Sequence, residues 1–150
     1  DLARFEERAH LLVHPGVEGA RKLIHPSERR SELAARADFS TRVDDSARKH
    51  IRAFDVRADG SLTNSRVLLD MASSDPGVPD GLKVDVRGNV FCTGPGGVWV
   101  CRADGTFLGL LILPELPANL AWGEDGSVLF VTARTSVYRI QTKTRGEIPG

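Results

Sequence analysis

Beyond about Arg42 the apolar positions of this chain fall in short runs, each closed by a turn signal. Ile51-Arg-Ala-Phe-Asp-Val56 alternates apolar and polar residues, the period of a strand with one buried face, and Arg57-Ala-Asp-Gly60 closes it as a tight turn. Ser65–Asp70 is the predicted return strand. After the loop Ser73–Pro79 come Leu82–Val86, the turn Arg87-Gly88, Asn89–Thr93, the glycine turn Gly94–Gly97, Val98–Arg102, the turn Ala103–Gly105 and Thr106–Leu113. Past Pro114–Pro117 the pattern restarts with Leu120–Trp122, Val128–Thr132 and Val137–Ile140, separated by turns at 124–126 and 133–135. These runs predict about eight or nine short antiparallel strands and an all-β fold.

The beginning of the chain is different. Leu2, Phe5, Ala9 and Leu12 recur at helical spacing, Ser31-Glu-Leu-Ala-Ala35 offers another short helix, and Pro15-Gly16 and His25-Pro26-Ser27 break the stretch into pieces. All four histidines but only two of the fifteen glycines lie in the first fifty residues, so the composition changes along with the pattern. The chain therefore divides into an N-terminal segment, 1–42, expected to be irregular, weakly helical or poorly ordered, and a β-rich part, 43–150.

The β-rich part repeats. His50–Val56, Gly97–Arg102 and Ser136–Gln141 resemble one another, and Ala-Asp-Gly recurs at 58–60 and 103–105, an offset of 45 residues. Leu82 and Leu120, each opening a strand after a proline-containing loop, are 38 apart. A period of about 40–50 residues holding four short strands is that of a β-propeller blade. In a β-sandwich, the alternative for strands so spaced, the 45-residue offset is a coincidence. The chain holds one complete unit at about 81–113, half or more of the one before and most of the one after. Propellers close with about 4–8 blades, so the expectation is a partial β-propeller with open faces. Either the chain is a fragment, or it assembles with another chain, or its first fifty residues cover the open side.

Lys plus Arg equals Asp plus Glu at 20 each, a balance that argues against a nucleic-acid or anionic-membrane partner. With 41% hydrophobic and 27% charged residues, the composition is globular rather than disordered. The longest apolar run, Phe107–Leu113, is far short of the roughly 20 residues that span a bilayer, and no signal-peptide pattern opens the sequence. Two cysteines, Cys92 and Cys101, are too few for a disulfide framework or a closed zinc site. They are read as reduced strand residues of a cytoplasmic protein.

Several motifs occur together in order: Asp45-Ser-Ala-Arg-Lys-His-Ile-Arg-Ala-Phe-Asp-Val56, Val78-Pro-Asp-Gly-Leu-Lys-Val-Asp85, Gly88-Asn-Val-Phe91, Gly96-Gly-Val-Trp-Val100, Pro114-Glu-Leu-Pro-Ala-Asn-Leu-Ala-Trp-Gly123 and Leu129-Phe-Val-Thr-Ala133. Over about residues 43–146 they closely resemble the C-terminal part of the senescence-marker-protein/gluconolactonase/luciferin-regenerating-enzyme family. The resemblance implies a six-bladed propeller, of which this chain is about half, with one divalent metal, usually Ca2+, at the end of the central channel. There the metal polarises a sugar-lactone carbonyl for attack by water. Asp80 of Pro79-Asp-Gly-Leu matches the family's metal-binding aspartate, also proposed as general base, and Gly81 lets the backbone approach a crowded axis. By local sequence alone, Pro-Asp-Gly is also an ordinary β-turn. Asn119, in the comparable loop one unit later, is a candidate for contacting substrate, or else a turn-capping asparagine.

The chain also departs from the family. No counterpart is found for its N-terminal metal-binding glutamate, nor for the asparagine of an Asn-Gly-Leu segment that should precede Asp45; Glu18 and Asn64 have the chemistry but not the context. The implied enzyme is a gluconolactonase-type, metal-dependent hydrolase of a sugar lactone with an incomplete site in this chain. The alternative left open is a non-catalytic half-propeller remnant or interaction module, self-associating to cover its open faces.

Other candidates have plainer readings. His10 and His14 are spaced like a metal pair, but Leu11-Leu-Val13 between them completes no hydrolase motif, and His25 and His50 stand alone. Gly94-Pro-Gly-Gly97 lacks the Lys-Ser/Thr of a phosphate loop. Ser46 and Ser136 lack the Gly-x-Ser-x-Gly elbow of serine hydrolases.

Overall fold

The computed structural model describes residues 9–12 and 40–147. Eleven strands run in chain order: β1 Ala9–Leu12, β2 Ser40–Asp45, β3 His50–Val56, β4 Leu62–Asp70, β5 Leu82–Val84, β6 Val90–Gly94, β7 Gly97–Cys101, β8 Phe107–Leu111, β9 Pro117–Gly123, β10 Val128–Ala133 and β11 Ser136–Gln141. They form three antiparallel sheets, a first of order β2-β3-β4, a middle of order β5-β6-β7-β8 and a last of order β1-β11-β10-β9. No helix occurs among the described residues. The middle sheet coincides with the unit at about 81–113 that the repeat marks out.

One turn device recurs in all three sheets. Asp59, Asp85, Asp104 and Asp125 each accept a hydrogen bond from the backbone N–H two residues on, at Ser61, Arg87, Thr106 and Ser127. The glycine after the aspartate at 59 and 104 takes the left-handed backbone that reverses the chain, with φ of 83° at Gly60 and 92° at Gly105. The 45-residue offset seen in the sequence is thus the repetition of one hairpin geometry.

Alternation along β6 and β7 distributes the core. Phe91, Val98 and Val100 pack with Leu120, Trp122, Leu129, Val131, Tyr138 and Ile140 of the last sheet. Val90, Cys92 and Cys101 point the other way and pack with Ile51 and Leu69 of the first sheet and with Met71. The middle sheet is therefore buried on both faces, each apolar side chain contributing roughly 1.5–3 kcal/mol. Trp122 joins the middle and last sheets. Its ring meets Phe91 edge-on at 5.1 Å and 80°, and its indole N–H donates to the Val84 carbonyl at 2.9 Å.

The N-terminal reading needs one correction. Ala9 and Leu12, placed on a helical face by spacing, lie in β1, which pairs antiparallel with β11 from Ala9↔Ile140 to Leu12↔Val137. The outer edge of β11 presents a row of backbone groups, and an extended segment satisfies them where an isolated short helix is only marginally stable. The Ser31–Ala35 helix lies outside the described residues. β2 was not foreseen as a strand, because Ser-Thr-Arg-Val-Asp-Asp carries a single large apolar residue; its pairing with β3 forms it.

Candidate functional site

Asp80 is exposed, immediately ahead of β5, in a loop fastened from three sides. From the β2–β3 turn, the Ser46 hydroxyl donates to the Pro79 carbonyl at 2.5 Å. From the end of β6, the fully buried Thr93 bonds through both main chain and side chain. Its N–H donates to the Gly81 carbonyl at 2.9 Å, and its Oγ1 accepts the Gly81 N–H at 2.9 Å. The same hydroxyl donates to the Ala118 carbonyl of β9 at 3.0 Å. One buried threonine thus ties the Asp80 loop to the strand that carries Asn119. Further back, the Gly96 N–H donates to the Pro76 carbonyl at 3.0 Å, and Lys49 Nζ donates to the Ser73 carbonyl at 3.1 Å.

Asn119 is exposed and close by. A Cβ on Gly81 would overlap the Asn119 side-chain oxygen, so position 81 has room only for glycine. Asn119 Oδ1 accepts the Leu120 N–H at 2.8 Å, a local bond that holds the side chain against its own strand. The two residues singled out from sequence are therefore brought together at one end of the sheets, with Gly81 as the point of contact.

Behind them sits Cys92. Burial, reinforced by the charges of Asp44, Cys101 and Asp80, pushes its thiol up to about 12; burial likewise raises Cys101, to about 11. Both are free, buried thiols, held neutral and unsuited to nucleophilic work. The charge of Asp44, on β2, acts on the same thiol as that of Asp80. Ser46 and Thr93 were missed as site residues by sequence reasoning. Their value comes from distant chain segments, and only the Asp45-Ser-Ala motif hinted at the first.

The remaining candidates stand elsewhere. His50 is buried at the head of β3, its Nε2 3.4 Å from Asp45 Oδ2 and without a hydrogen-bond partner among the described residues. Asn64 donates to Asp55 at 2.8 Å on the exposed face of β4. Ser136 opens β11, and Gly94–Gly97 is the β6–β7 hairpin turn. His14, His25 and Glu18 lie outside the described residues, and His10 falls on β1.

Asp80 and Asn119 offer hard oxygen donors of the kind a cation such as calcium prefers, but calcium takes about 6–8 oxygens. Among the described residues no group of three or more His, Cys, Asp or Glu stands close enough to hold a metal ion. These residues alone do not form a complete cation site.

Comparison with known proteins gives a consistent picture. The SMP-30/Gluconolactonase/LRE-like region matches residues 39–135. A gluconolactonase of Zymomonas mobilis is 36% identical over 110 residues, 68% of this chain and 31% of that protein. A solved gluconolactonase from Xanthomonas campestris superposes with a TM-score of 0.61 at 26% identity, covering 75% of this chain and 35% of that one. Regucalcin from Agrobacterium tumefaciens, a calcium-binding protein, shares the fold with a TM-score of 0.62 at 19% identity over 73% of this chain and 44% of its own. The chain thus spans about a third of the gluconolactonases it matches.

Proposed function

We propose, from the premise that this chain belongs to the SMP-30/Gluconolactonase/LRE-like family, that it forms part of a lactone hydrolase whose site lies at the Asp80 end of the sheets. The three sheets are read as consecutive blades of a six-bladed propeller. Support comes from the 45-residue offset and from the burial of each face of the middle sheet against a different neighbour. In that arrangement β5 and β9 are inner strands, and the loop ahead of β5, with Asp80, opens on the channel beside Asn119, which lies within β9 rather than in the loop its sequence context suggested.

The observation that carries the reading is the placement of Asp80. Asp80 is exposed, its neighbours Pro79 and Gly81 are pinned through Ser46 and Thr93, and Gly81 lies against Asn119. A pinned acidic side chain facing solvent can accept a hydrogen bond from water and aim it at a bound carbonyl carbon with little reorganisation. Asn119 would position the sugar ring of a lactone through its amide. A divalent cation, taken to be calcium, would be held in part by Asp80 and would supply carbonyl polarisation. The setting is read as cytoplasmic, supported by two cysteines kept as free thiols.

The test is gluconolactone hydrolysis with and without calcium, for the protein carrying this chain and for its Asp80→Ala variant. A calcium-dependent rate that falls roughly 10²–10⁴-fold in the variant supports the assignment. Equal rates remove Asp80 from the mechanism, and no rate above buffer overturns the lactonase reading.

A further inference from the structure

At the far end of β5 from Asp80, a cleft of about 220 Å³ opens between the middle sheet and the turn that follows β11. Its floor is apolar, made by Phe91, Val100, Leu108 and Leu111. Two cations, Arg87 and Lys143, stand among its lining residues, both exposed. Neither takes part in an ion pair or side-chain hydrogen bond among the described residues, whereas nearby Arg145 is engaged by Asp125 at 2.9 Å.

The cleft's one carboxylate, Asp85, is already committed. Its Oδ1 accepts the N–H groups of Arg87 and Asn89 at 2.9 and 2.8 Å, and its Oδ2 accepts Asn89 Nδ2 and the Thr144 hydroxyl at 2.8 and 2.7 Å. Four donors surround it, so its charge is compensated and no acceptor is left pointing at a ligand. The charge available to a ligand is positive and belongs to Arg87 and Lys143.

We propose that this cleft is a binding site for a small apolar carboxylate, its hydrocarbon body on Leu108 and Leu111, with buried Phe91 and Val100 behind them, and its carboxylate beside Arg87 and Lys143. The volume lies below the roughly 300–1,000 Å³ of drug-sized pockets, which restricts the occupant to a short alkyl or single-ring acid. An apolar floor with a few charged groups among its lining residues is the usual constitution of a small-molecule site. Charge complementarity selects an acid over an amine. The site uses none of the residues of the lactonase reading and stands or falls apart from it.

The probe is octanoate, titrated calorimetrically into the protein against octanol and octylamine of the same chain length. One-site saturable binding of octanoate, with octanol and octylamine each at least tenfold weaker, is expected. The double variant Arg87→Ala/Lys143→Ala, confined to exposed residues, should weaken octanoate at least tenfold while leaving octanol unchanged. Leu108→Trp, which fills the floor, should abolish binding of both. Absence of saturable octanoate binding overturns the proposal. So does equal affinity for octanol or octylamine, or octanoate affinity unmoved in the double variant. Should Leu108→Trp fail to fold, the ligand series and the double variant decide the matter by themselves.

Discussion

Asp80 and Asp85 stand at opposite ends of the three-residue strand β5, and they have opposite fates. Asp85 is 1% exposed and accepts four hydrogen bonds that weld the turn at 85–89 to Thr144 in the C-terminal stretch. Asp80 is exposed, and its loop is held by its neighbours' backbones rather than by its own carboxylate. The same side chain is thus a structural rivet at one end and an unspent acid at the other. A carboxylate fully consumed by donors has nothing left for a substrate, while one whose position is fixed by others keeps its oxygens free. That contrast, more than exposure alone, is what marks Asp80 as a candidate.

The contrast is easiest to break at its buried end. Asp85→Ala strands the Thr144 hydroxyl, the Asn89 amide and two backbone N–H groups, and should cost on the order of 3–4 kcal/mol in denaturant unfolding. A loss below about 1 kcal/mol would mean that water replaces the carboxylate without difficulty. Thr93→Val keeps the shape but removes the hydroxyl shared by Gly81 and Ala118, with an expected loss of about 1–3 kcal/mol. Amide shifts should concentrate at 79–81 and 118–119, and a diffuse pattern would contradict its role as the pin.

Raising the pH probes the core between the two ends. Because burial lifts the Cys92 thiol from 9.0 to about 12, the folded state favours the neutral thiol. Stability should therefore hold below pH 9.0 and fall as pH rises through about 12, where the folded thiol also ionises. In Cys92→Ala the slope of unfolding free energy against pH in this window should be shallower, and an unchanged slope would assign the loss to other groups. The smallest effect belongs to the exposed end. Asp80→Ala should leave stability within about 0.5 kcal/mol of the parent while removing calcium-dependent hydrolysis. A large loss of stability there would turn Asp80 into another Asp85.

The strands from β3 to β11 were legible because the alternation of Ile51–Val56 or Val98–Cys101 and the Asp-Gly turns state both the face and the reversal locally. β1 and β2 were not. Ala-His-Leu-Leu and Ser-Thr-Arg-Val-Asp-Asp carry no strand pattern of their own and are extended only because β11 and β3 lie alongside. The candidate site divides in the same way. Pro79-Asp-Gly-Leu could be read as a motif, whereas Ser46, 33 residues away from Pro79, and Thr93, 25 residues from Ala118, could not.

Local order in the chain is thus enough to determine the all-β character, the repeat, the family and the two side chains of interest. Alternation and turn chemistry act between neighbours a few residues apart, and the family is written in ordered motifs. The tertiary structure alone decided which aspartate is spent and which is free, that Gly81 must yield its space to Asn119, and that Arg87 and Lys143 flank an apolar cleft. Those outcomes depend on which hydrogen-bond donors and which surfaces meet across sheets, and no spacing along the chain encodes them.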